Sequence, residues 1–260
     1  MSRCRGRSNQ EPFQVSETIN GSLSNTTTEI MKANFCHMIG SFLLLVATIL
    51  LIVTSITAPV VNSLGILTVD LGKDSTVGKE VSFGTFGWCI EDAGPDGNDQ
   101  CSEAKVGYNP ADVMESVDGT EVASYSETTT KALTRVMVLH PVAAGLCFIA
   151  FILTLGAGAF GSFVASLIAF TAFLVTAIVM ICDFVLFGIL KADINENDDS
   201  ESHAYFSIGM WCVLVSALCS LLASILVFIT CCAGRFKKRR DVEKVPAATP
   251  ASRRRFWPRR

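Results

Sequence analysis

Few residues in this 260-residue chain have the chemistry to act as acids, nucleophiles or metal ligands, and those few are scattered. The three histidines stand at 37, 140 and 203, and none shares a zinc-type spacing with the ten cysteines. There is no Gly-rich phosphate loop, no HExxH and no nucleophile–base pair. The sequence therefore predicts a protein that is not an enzyme, with no metal and no cofactor. Two features remain for chemistry. One is a pair of cysteines, Cys89 and Cys101, set apart from the others, most of which lie in apolar blocks where a thiol behaves as a small hydrophobe. The other is Asp183, the one charge in the 55 residues from Val136 to Leu190.

The elements that must position these residues are membrane spans. Half of the residues are hydrophobic and 17% are charged, below the roughly 25% of soluble domains, and the apolar residues come in blocks. A span needs about 20 mostly apolar residues. The blocks give helices at about 35–57, 138–159, 163–190 and 205–232. The 55-residue stretch would be roughly 80 Å long as one helix, far more than a bilayer, so it must turn back at the glycines of Gly156–Ser162. The first block follows a 34-residue leader and is too long for a signal-peptide core, so it is expected to stay in the chain.

Charge sets the orientation. Eleven basic residues and two acids follow Cys232, and Arg3, Arg5, Arg7 and Lys32 precede the first block. The loop 58–137 has thirteen acids and five bases, and the loop 191–204 has five acids and one base. Basic flanks stay in the cytoplasm, which puts both termini inside and both acidic loops outside. The sequons at Asn20 and Asn25 then lie in the cytoplasmic segment 1–34 and should carry no glycan.

In the long outer loop, Gly65–Leu71 and Glu80–Cys89 read as short strands. Its two cysteines face an oxidising compartment and should pair, the alternative being two free thiols. The acidic, turn-rich insert Glu91–Gln100 between them suits a hairpin tip. Asp183 lies about 10 Å inside its helix, where a carboxyl is costly and seeks a partner. The candidate contacts are His140, at similar depth, and another protein, against a carboxyl that serves helix packing alone. His140 before Pro141 reads as a helix-start histidine rather than a pH switch. Lys131 and Arg135 lead into the second helix as structural anchors, to lipid phosphate or to the loop acids. Ser216, Ser220 and Ser224 share one helix face and suit close helix packing. Cys231 and Cys232 are palmitoylation candidates. The cluster Arg235, Lys237, Lys238, Arg239 and Arg240 should face anionic lipid, and the basic tail 233–260 is read as binding membrane rather than nucleic acid.

With these residues in place the chain resembles the claudin-like superfamily, and within it the fungal PalI (Sur/PalI) family. The stretches that carry the resemblance are Phe83-Gly84-Thr85-Phe86-Gly87-Trp88-Cys89, then Cys101 to Asn109 with Gly107-Tyr108, then Val138 to Ala144 with His140-Pro141, and Asp183 to Phe187, across about Phe35 to Cys232. The resemblance implies a four-helix transmembrane bundle carrying a small disulfide-linked extracellular sheet. It also implies a plasma-membrane role in alkaline-pH signalling, assisting a seven-span PalH-type sensor upstream of a PacC-type transcription factor. The Sur-type branch implies instead an organiser of membrane patches (eisosomes). A claudin-like adhesion protein and a channel are more distant alternatives, and a homo-oligomer is a further candidate assembly. The leader is longer, and the 28-residue tail shorter, than the resemblance leads one to expect.

Overall fold

The structure, a computed structural model, describes residues 35–72, 75, 77–93, 96–119, 124–156, 159–196 and 201–243. The sequons at Asn20 and Asn25 and the tail from 244 lie outside the described residues. For 233–243, which include Arg235 and Lys237 to Arg240, only the backbone is described.

Four helices are long and apolar enough to cross a membrane: Phe35–Ser55, Lys131–Gly156, Phe163–Asn195 and Ile208–Cys232. The first is α1. The second is built from two helices, α3 (Ser124–Val136) and α4 (Leu139–Gly156), with a break at Met137 and Val138. The third lies within α5 (Ala159–Asn195) and the fourth within α6 (Ile208–Glu243). Each turns large apolar side chains outward, as Phe148 and Ile152 on α4 and Leu218 and Leu222 on α6 do. The inward faces mix small residues with a few larger ones such as Leu44, Leu51 and Val179. Ala143, Cys147 and Ala150 of α4 meet Ala169 and Ala172 of α5, and Ser216 and Ser220 of α6 are fully buried with their hydroxyls turned back to carbonyls of their own helix. Small residues let helix backbones approach where lipid supplies no hydrophobic drive for association. At the other end of the bundle from the loop 58–137, His37 and Ser41 of α1 reach Thr154 near the end of α4. The His37 ring nitrogen lies 3.0 Å from the Thr154 carbonyl, one of the last-turn acceptors that a helix leaves unpaired.

The region between the spans folds into a five-stranded antiparallel sheet in the order β4-β3-β2-β1-β5. Its strands are β1 (Leu67–Asp70), β2 (Glu80–Phe83), β3 (Trp88–Ala93), β4 (Asn98–Cys101) and β5 (His203–Phe206). One face carries Leu67, Val69, Val81, Phe83 and Ile90, all buried, and packs on Leu186, Phe187, Leu190 and Ile194 of α5. α5 can carry the sheet because its 37 residues make a rod of about 55 Å, against roughly 30 Å of hydrocarbon.

Several elements differ from the sequence reading. Tyr205 and Phe206, expected in the fourth helix, belong to β5, because β1 offers them a ladder: Leu67 faces Phe206 and Thr68 faces Tyr205. The third helix continues past 190 to Asn195, held by the packing of Ile194 under the sheet. Asp183 thus lies a dozen residues from the end of its helix, deeper than the roughly 10 Å expected. The stretch Glu80–Cys89 is two strands, reversed at Gly84–Gly87 with the Gly84 N–H on the Gly87 carbonyl. The outer loop also contains the helix α2 (Pro110–Asp118). Asn109 caps it through the Ala111 N–H, Pro110 opens it without wasting a donor, and Gly119 closes it at φ +69°.

Candidate functional site

Two of the polar residues that the sequence singles out, His140 and Asp183, meet at the end of the bundle beneath the sheet. His140 sits in the first turn of α4, which Pro141 tolerates because the N–H it lacks has no partner in a first turn. The His140 Nδ1 lies 2.9 Å from the Met137 carbonyl. A carbonyl only accepts, so Nδ1 carries the proton. Nε2 is thereby turned toward α5, where it lies 3.1 Å from the Asp183 Oδ2, with 0% and 1% of the two side chains exposed. The approach is close but not aligned as a hydrogen bond, and the Asp183 Oδ1 has no polar partner among the described residues. With Nδ1 already a donor, two forms of the contact balance its charge: Nε2–H facing a carboxylate, or a protonated carboxyl facing a neutral ring. Either form is neutral overall, which is how two titratable groups persist in a buried place.

The two outer-loop motifs join directly above this pair. The Tyr108 hydroxyl donates to the Gly84 carbonyl at 2.7 Å, and the Tyr108 carbonyl accepts from the Thr134 hydroxyl of α3 at 2.8 Å. Burial, with the nearby Asp183 carboxylate adding to it, pushes the Tyr108 phenol far above its ordinary range. Gly84 has to be glycine, since a Cβ there would lie 2.6 Å from the Ala58 nitrogen. Gly107, at φ +74°, takes a conformation that side chains disfavour, and it leaves the space that the Arg135 chain crosses. Phe83 is buried, while Phe86 and Trp88 are half-buried at the sheet end nearest the bundle. Gly87 lies against Pro59 and Ser102.

Cys89 and Cys101 form a disulfide between directly opposed residues of β3 and β4. The Asn62 carbonyl oxygen lies 3.2 Å from the Cys101 sulfur, and its amide donates to Asp99, holding that carboxyl below its usual range. At the far end of the sheet Asp70, Glu80 and Glu91 lie in register on three neighbouring strands. Partial burial and then the facing Glu80 raise the Glu91 carboxyl above its usual range. Lys79 pairs with Asp92.

Other expected residues are placed elsewhere. Arg135 is exposed on α3 and apart from the Asp183 pair. Cys231 is buried and Cys232 half-buried near the end of the fourth span. The sequence reading missed the Tyr108–Gly84 link and the role of Asn195. Its side-chain amide bonds both the N–H and the carbonyl of Ala204, closing the outer edge of β5 as another strand would. A tyrosine and a glycine 24 positions apart carry no local signal of such a link. Among the described residues no three metal-ligating side chains converge.

Four membrane-crossing helices under a small disulfide-linked antiparallel sheet make this a multi-pass membrane protein of claudin-like architecture. The chain belongs to the SUR7/PalI family, whose profile matches residues 36–240. It is also similar to "Uncharacterized membrane protein TOS7" of Saccharomyces cerevisiae (strain ATCC 204508 / S288c), with 30% identity over 105 residues. That match takes in 40% of this chain and 16% of the relative, so most of the relative's length has no counterpart in the match.

Proposed function

We propose that the protein is a non-enzymatic accessory subunit of the plasma membrane that delivers or stabilises a partner membrane protein, namely a PalH-type seven-span sensor of alkaline pH. Membership of the SUR7/PalI family carries this reading. Supporting it, the groups best suited to chemistry are engaged in holding the fold: His140 and Asp183 face each other between α4 and α5, and Tyr108 and Thr134 link the sheet to α3. Such a body offers a partner one rigid surface inside and above the membrane. Both termini face the cytoplasm in this reading, as the basic flanks require.

The test is processing of the PacC-type factor after an alkaline shift, with surface delivery of the sensor followed in the same cells, with and without this gene. Loss of processing with a mislocalised sensor is the expected result. Normal processing with a correctly placed sensor refutes the proposal and leaves the Sur-type role, organisation of membrane patches, as the family function to test next.

A further inference from the structure

The sheet carries a row of carboxyls at the end far from the bundle. Leu67, Phe83, Trp88 and Phe206 form the row of the sheet nearest the bundle, because Gly65 and Ile66 bond to Gly209 and Ser207 at the start of α6. The row of Asp70, Glu80 and Glu91 lies three residues farther along each strand, about 10 Å away from the membrane. Lys79 stands at that same end, paired with Asp92, but three other basic residues lie toward the bundle. The Lys105 N–H bonds the Phe86 carbonyl in the turn nearest the bundle, and two residues later Gly107 lies under the Arg135 chain. Lys131 stands one turn above Arg135 on α3, on the same face. All three are exposed, and none has an ion pair among the described residues, although the loop contains thirteen acids. Beside them Phe86 is half-buried and Val60 is 64% exposed. Unpaired cations with apolar neighbours at the helix ends are the pattern of a membrane–water boundary.

We infer that Lys105, Lys131 and Arg135 form a binding belt for the phosphates of anionic phospholipid headgroups in the leaflet that meets the sheet. The raised acidic row repels such headgroups and sets how closely the sheet approaches the surface. The belt goes beyond the sensor-assistance reading and does not depend on it. Each cation near an anionic surface contributes roughly a fivefold gain in lipid affinity, so the three together supply about a hundredfold.

The test uses the full-length chain reconstituted in bilayers of equal parts phosphatidylcholine and phosphatidylinositol, with retained lipid counted by native mass spectrometry. The background has Arg235, Lys237, Lys238, Arg239 and Arg240 changed to glutamine, which removes the cluster at the other end of the bundle. The expected result is selective retention of phosphatidylinositol in that background, falling by at least tenfold in K105Q/K131Q/R135Q and kept in the charge-preserving K105R/K131R/R135K. Non-reducing mobility confirms the Cys89–Cys101 bond in each variant. Retention that K105Q/K131Q/R135Q leaves unchanged overturns the belt. So does equal loss in the charge-preserving variant, which would assign the effect to packing. Unchanged lipid retention with loss of a co-purifying acidic protein also overturns it and assigns the cations to a protein partner.

Discussion

His140→Leu leaves the Asp183 carboxyl in a site where 1% of its side chain is exposed, with no cation beside it. Removing one member of a buried pair costs about 3–5 kcal/mol, because the remaining charge is uncompensated. That is roughly two to four powers of ten in the ratio of folded to unfolded protein. Asp183 escapes part of this cost by taking up a proton, so the lower figure is the better expectation. Asp183→Leu strands the ring in the same way. The double variant His140→Leu/Asp183→Leu strands nothing and fills the space with carbon, so it should return to within about 1 kcal/mol of the parent. The expected result is thus a double variant more stable than either single one. The assay is denaturing-detergent titration of the purified full-length chain, followed by the fluorescence of Trp88 and Trp211. Single variants as stable as the parent, or a double variant as weak as the sum of the singles, would refute the argument that the two groups compensate each other.

Cys89→Ser with Cys101→Ser removes the tie across β3 and β4. It should cost roughly 3 kcal/mol for a closed ring of this length and should hold the protein inside the cell, read as lost surface delivery. Gly84→Ala forces a methyl against the Ala58 backbone and displaces the carbonyl that holds Tyr108. It should weaken the outer sheet more than Gly119→Ala, where a Cβ meets nothing, as limited proteolysis of the loop would report. Glu91→Gln removes one of two directly opposed carboxyls and should stabilise the sheet by up to about 1 kcal/mol at neutral pH. Because the Glu91 carboxyl is raised in the folded state, its ionised form works against folding above that titration. The parent therefore gains stability as pH falls through it, and the advantage of Glu91→Gln should vanish in acid, as denaturation at two pH values would show. Hydroxylamine-sensitive acyl labelling of the chain should disappear in a Cys231/Cys232 double serine variant, and labelling that persists there would exclude both as acylation sites.

The membrane spans were legible because each rests on a local quantity, about 20 apolar residues in a row, and the glycines of 156–162 marked the turn between the second and third. The disulfide was legible because the long outer loop contains no other cysteine. The strand β5 was not, since His203-Ala-Tyr-Phe206 reads as the start of the apolar block behind it, and only pairing with β1 makes it extended. α2 had readable signals in Asn109, Pro110 and Gly119, but they are short beside the β-like composition around them. α3 was hidden by Thr128, Thr129 and Thr130, β-branched residues that disfavour a helix. The contact of His140 with Asp183 was accessible as an expectation from depth alone. The position of Tyr108 above it depends on how the sheet docks, which no window of sequence contains.

The pairing of β5 with β1 also sets an order of assembly. A chain emerging residue by residue supplies β1 to β4 early, but the edge of β1 stays open until His203–Phe206 arrives from the next outer segment. Between the two lie α4 and α5, which must both enter the bilayer and return the chain to the same side. The sheet is therefore finished only in molecules whose middle spans have inserted correctly. A sorting factor that recognises the finished face would select for a correctly threaded bundle without touching it. A mistake in threading would show on the surface as an unsealed strand.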